Sequence, residues 1–234
     1  MTTITIAPRF NGPPGSGNGG YTCGLMAARI DGPSQVALRT PPPLAKPLTL
    51  TTTADGVTLA DGDTLIGEAR AAPFDLTPPP APSITEARAA VRRYVGLRDH
   101  RYPTCFVCGA GRPAHDGLDL FTGPVEGRAM VACTWVPGGD LADADGRVAP
   151  EFIHAALDCP SYWSLPRAGD MAALLARLTA SIDAPTPKVG EELIVAAWPI
   201  RSDGRKHIAA SALYDGDGAI IARSEALWIE PRSA

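Results

Sequence analysis

Apolar positions along this chain recur in two rhythms, and the switches between them mark out its elements. Between residues 2 and 10, Ile4 and Ile6 alternate with other neighbours, which predicts a short strand. After a glycine-rich loop the period changes. Tyr21, Leu25 and Ala28 fall on one helical face, and Asn18 stands where a helix wants its N-cap. The spacing predicts a helix over about 19–30, stopped by Asp31-Gly32-Pro33. Alternation returns at 36–40, 48–53, 57–60 and 64–71, with Ala-Asp-Gly turns at 54–56 and 60–62 joining strands into hairpins.

The second part repeats this plan. A Pro-rich linker at 76–82 leads into Ser83-Ile-Thr-Glu86, a capping box, and a linker helix running to about Gly96. Strands are expected at 117–121 and 128–135, then an acidic loop at 141–148. A helix is expected over 149–163, with Pro160 ending or kinking it beside Asp158. Strands at 175–182, 192–200, 207–214 and 219–229 close the chain. Each half thus has a strand, a helix and a run of antiparallel strands, a diverged duplication visible only in its elements. The expected division is 1–82, a linker helix 83–100, and 101–234. A helix wrapped by an antiparallel sheet, used twice, is an α+β architecture.

Composition narrows the function more than the fold. With 21 basic and 25 acidic residues the net charge is −4, which opposes a nucleic-acid partner. No apolar run approaches the roughly 20 residues that span a bilayer, so no membrane role is expected. The first residues lack the basic start and apolar stretch of a signal peptide. Five cysteines in such a chain read as reduced thiols of a cytoplasmic protein. Cys105-Phe-Val-Cys108, with His100 and His115 nearby, hints at zinc. A structural site needs four ligands and no second Cys-x-x-Cys exists, so neither metal nor cofactor is expected.

The repeated plan resembles the hotdog fold, and in particular the two fused hotdogs of double-hotdog acyl-CoA thioesterases. In that superfamily the central helix opens on His-Gly-Gly or a relative of it. In the phenylacetate-pathway branch a carboxylate follows nine residues after the histidine. Here Asn18-Gly19-Gly20 stands at the first His-Gly-Gly position, but nine residues on lies Ala27. In the second half Ala149-Pro150-Glu151 stands there, and nine residues on lies Asp158. Each half keeps what the other has lost. The family builds its site across a dimer interface, so the resemblance implies one complete site from Gly20 and Asp158 and one degenerate site from Glu151 and Ala27.

The chemistry fits thioester hydrolysis. Free N–H groups at a helix start stabilise the charge growing on a thioester oxygen. A carboxylate among apolar neighbours is a competent general base or nucleophile. Gly20 and Asp158 are the expected catalytic residues. Asn18, Gly19, Tyr21 and His154 are the expected substrate contacts, with His154 one helical turn from Asp158. The resemblance implies an acyl-CoA or related thioester as partner and a homodimer of such chains. Alternatives stay open. Gly19-Gly20 equally fits a tight turn, Asp158 a solvated helix face, and His154 a structural histidine. Arg88, Arg92, Arg93 and Arg98 suit CoA phosphates or a solvated face. A non-catalytic acyl-CoA or lipid-binding protein competes with the enzyme. A hydratase is opposed by the absence of its Asp-x-Asn-Pro-x-His motif.

Overall fold

A computed structural model describes residues 1–232 of the chain. Its eleven strands are β1 (Thr2–Thr5), β2 (Ser34–Leu38), β3 (Pro47–Thr53), β4 (Gly56–Asp61), β5 (Thr64–Ala71), β6 (Gly123–Pro124), β7 (Val131–Trp135), β8 (Leu174–Ile182), β9 (Leu193–Asp203), β10 (Lys206–Tyr214) and β11 (Ile220–Ile229). The helices are α1 (Gly19–Ala27), α2 (Ile84–Val91) and α3 (Pro150–Trp163). All strands join one antiparallel sheet in the order β1-β3-β4-β5-β2-β8-β11-β10-β9-β7-β6.

That order shows the duplication directly. Read outward from its centre, the first half runs β2-β5-β4-β3-β1 and the second β8-β11-β10-β9-β7, with the two-residue β6 added at its edge. The halves meet at the antiparallel pair β2–β8, where Val36 lies opposite Leu178. The central helices pack on the same side of this sheet, α1 on β2 and β5, α3 on β9, β10 and β11, and they pack on each other. Their approach is close because α1 carries glycines where it meets α3. A Cβ on Gly20 would overlap Asp158 Cβ and lie 2.7 Å from His154 O, and one on Gly24 would lie 2.5 Å from Glu151 Cα.

Several boundaries differ from the sequence expectation. Helix α1 ends at Ala27; Arg29 and Ile30 follow in a tighter turn, and Gly32 takes a positive φ of 76°. Helix α2 has the expected capping box at Ser83 and Glu86, but stops at Val91. Residues 117–121 form no strand. Asp119 sits at φ 54°, a left-handed conformation that breaks an extended run, and Leu118 and Leu120 donate to Phe106 and Val107 instead. Pro160 does not end α3, which runs on to Trp163. Side chains serve the carbonyls around it: Ser211 Oγ donates to Leu157 O at 2.6 Å and Ser161 Oγ to Asp158 O at 2.7 Å.

The Pro-rich linker crosses the outer face of the second half. Pro78 and Pro82 are buried, and Tyr214 Oη donates to Pro79 O at 2.8 Å. Helix α2 covers the same face, placing Ala87 and Ala90 against Val125, Ala132 and Ala196. Among the described residues no helix is long and apolar enough to cross a membrane.

Candidate active site

The site begins with one asparagine doing two jobs. Asn18 is extended and caps α1, its Oδ1 accepting from Tyr21 N at 2.8 Å. That bond fixes the amide's orientation and turns Nδ2 toward α3, where it donates to Asp158 Oδ2 at 3.0 Å. Gly20 N–H donates to the same oxygen at 2.8 Å. The acid of the second half is thus held by the helix start of the first. The expected pairing across the pseudo-dimer interface is present, but with a direct hydrogen bond in place of a gap wide enough for a thioester. Gly20 admits α3 and orients the acid.

Asp158 is 2% exposed and its two oxygens are unequal. Oδ2 carries both of these hydrogen bonds and a longer one from Cys159 Sγ at 3.9 Å, whereas Oδ1 is buried with no partner among the described residues. Burial pushes the carboxyl up to about 7, against the opposing pull of the Gly20 amide and Asn18. A solvated helix face is therefore excluded for this residue.

Asp158, Asn18 and Gly19 line a cleft of about 550 Å³ whose walls include Leu38, Leu175 and Trp228. Gly19 N–H, at the first turn of α1, has no acceptor among the described residues and is the free donor on that wall. Tyr21 and His154 do not line the cleft. Tyr21 stacks on Phe10 at 4.3 Å and meets Phe152 at 5.6 Å, a packing role. His154 bonds Pro150 O through Nδ1 at 2.9 Å, and burial holds its pKa below the ordinary value.

The linker arginines also lie elsewhere. Arg88 is bidentate on Glu192, at 2.9 and 2.6 Å, and Arg93 donates to Pro124 O at 2.8 Å, both on the outer face. The cationic groups lining the cleft are Arg39, Arg101 and Arg205. Nothing in the local sequence marks them, because the loop before Cys105 and the β9–β10 turn reach the cleft only through the fold.

Sequence spacing also missed Cys159. Its sulfur lies 3.7 Å from that of Cys105, and the sulfurs of Cys105, Cys108 and Cys159 all lie within 4.8 Å of one another beside Asp158. The count of two thiols behind the expected absence of metal therefore rises to three. His115 is not part of the group.

The degenerate site is bare of this chemistry. Where Asn18 clamps an acid, Ala149 has no capping side chain, Pro150 has no N–H, and Ala27 replaces the acid.

No family model matches this chain, and no curated protein does. Solved structures do. The TesB protein of Mycobacterium avium subspecies paratuberculosis is similar over 98% of this chain and 92% of its own, with a TM-score of 0.63 and 15% identity. A conserved protein of unknown function with a hot dog fold from Alicyclobacillus acidocaldarius is similar over 99% and 93%, with 0.60 and 13%. A proposed thioesterase II from Thermobifida fusca is similar over 98% and 92%, with 0.59 and 17%. With a sheet that repeats its strand order about β2–β8 and full-length likeness to these structures, the chain has the double hotdog fold, two hotdogs fused in one polypeptide.

Proposed function

We propose that the protein hydrolyses acyl-CoA thioesters in the cleft where its two halves meet. One observation carries this reading: a buried carboxylate that lines a cleft has one oxygen fixed by two donors of the other half, while its second oxygen is buried without a partner among the described residues. Fixing Oδ2 aims Oδ1, which is what a general base or nucleophile needs. The acyl carbonyl takes the Gly19 amide at the start of α1, where the helix dipole adds to the field. Asp158 Oδ1 then either removes a proton from the attacking water or attacks the carbonyl itself, forming a mixed anhydride that water hydrolyses to the free acid and the restored carboxylate. The CoA thiolate leaves and takes up a proton. Leu38, Leu175 and Trp228 give the acyl group apolar walls, while Arg101 and Arg205 offer charge for the CoA phosphates. The fold neighbour described as a thioesterase II supports the reaction class. In this reading the protein acts in the cytoplasm as a homodimer.

A specific observation favours a second reading, a non-catalytic acyl-CoA-binding protein: the Gly20 amide is already occupied by Asp158. Thiol release measured across a panel of acyl-CoAs, on wild type and Asp158→Asn, decides between them. The isosteric amide keeps the shape and removes the basic oxygen. Hydrolysis predicts a loss of about 10²-fold or more in kcat with little change in KM. A wild type that binds acyl-CoA without turnover, or an Asp158→Asn variant as fast as wild type, rejects the mechanism.

A further inference from the structure

The loop between α2 and β6 folds the Cys105–Cys108 segment into a tight turn. Gly109 N–H donates back to Cys105 O at 2.9 Å, and a Cβ on Gly109 would lie 2.5 Å from Pro103 O, so only glycine closes the turn this tightly. Helix α3 then brings Cys159 to the same point, 3.7 Å from Cys105. A tetrahedral ion with Zn–S bonds of about 2.3 Å sets neighbouring sulfurs about 3.8 Å apart. Three buried sulfurs within 4.8 Å of one another are close to that arrangement.

The surroundings suit thiolates. His100 Nδ1 accepts from Tyr102 N at 3.0 Å, so the other ring nitrogen, Nε2, bears the proton. That nitrogen lies 3.3 Å from Cys108 Sγ and 3.1 Å from Cys108 O, which makes His100 a hydrogen-bond donor to the cluster. Trp163 Nε1 is buried with no hydrogen-bond partner among the described residues, and its ring packs 4.9 Å from that of His100. All three cysteines line the cleft.

We propose that Cys105, Cys108 and Cys159 bind a thiophilic divalent cation, Zn²⁺ foremost, as three thiolate ligands with the fourth coordination position facing the cleft. Three protein ligands and one open position distinguish such a site from a closed structural one. The ion ties the 99–121 loop to α3 at the wall of the cleft. Binding converts thiols to thiolates and releases their protons, without any redox step.

The site is tested on the full chain, reduced and stripped of metal, with Co²⁺ as probe and elemental analysis of the protein as purified. About one zinc per chain is expected, together with thiolate-to-cobalt charge-transfer absorption at one equivalent of Co²⁺ and displacement of Co²⁺ by Zn²⁺. Cys159→Ser is expected to weaken Co²⁺ binding at least 10-fold and to lower the charge-transfer intensity, while Cys23→Ser leaves both unchanged. Circular dichroism of the metal-free variants separates lost ligands from lost fold. Should Cys159→Ser fail to fold, the wild-type spectrum and stoichiometry still decide. A metal-free protein with no charge-transfer band on Co²⁺ addition overturns the proposal. A folded Cys159→Ser variant with the wild-type cobalt spectrum does so as well.

Discussion

Asn18 shows how much one side chain can organise. It satisfies an N–H at the start of α1 and clamps Asp158 across the interface. Asn18→Ala removes both contacts. Loss of the cap alone costs about 1 kcal/mol, and loss of the clamp frees the acid, so denaturant unfolding is expected to show at least that loss. Turnover should fall as well. Asn18→Asp keeps an oxygen for the cap but sets two carboxylates together in a buried place. It is expected to be less stable than Asn18→Ala, and equal stability would mean the clamp is not formed. The cap was legible in the sequence because capping is local. The clamp was not, since it depends on a residue in the other half. His154 belongs to the same scale. Its folded pKa lies below the ordinary value of about 6.5. The folded state then binds fewer protons than the unfolded state as pH falls below that value. Its contribution to stability is intact above about 6.5 and is lost as pH drops toward the folded value. The difference in unfolding free energy between wild type and His154→Gln, followed by urea titration from pH 7.5 to 5, should shrink or reverse on acidification.

At the scale of elements, the α1–α3 crossing depends on the absence of side chains. Gly20 and Gly24 lie one turn apart, and both admit the α3 backbone. In an exposed helix Gly→Ala gains about 1 kcal/mol. At this crossing it forces the helices apart, so Gly20→Ala is expected to destabilise the protein by about 1–3 kcal/mol, read from its urea midpoint at unchanged slope. A stabilised variant would show that the helices separate freely. Sequence reading placed these helices and nearly every strand, because hydrophobic period and Asp-Gly turns act locally. It failed where a distant partner decides. Residues 117–121 look like a strand but answer to Phe106 and Val107, and α3 continues past Pro160 where Ser211 and Ser161 donate to the carbonyls of Leu157 and Asp158. The Cys105–Cys108 turn was visible, but its third sulfur arrives on α3, which no spacing rule anticipates.

Over the whole molecule, duplication and loss leave a symmetric frame with one equipped site. The sheet repeats its order about β2–β8, yet the two helix starts differ in every group that matters. Asn18 faces an acid, and its counterpart Ala149 has nothing to offer one. Gly19 presents a free amide, and its counterpart Pro150 has none. Restoring the missing acid alone should therefore gain no activity. Ala27 is 6% exposed, so Ala27→Asp buries a carboxylate without the amide clamp that holds Asp158. An unpaired buried charge costs several kcal/mol or stays protonated. The variant is expected to unfold at clearly lower urea and, where folded, to hydrolyse no faster than wild type. Placed on the Asp158→Asn background it should recover no turnover. Recovery there would mean that the second helix start can activate a thioester without Asn18 or Gly19, and the donors assigned to the first would lose their role.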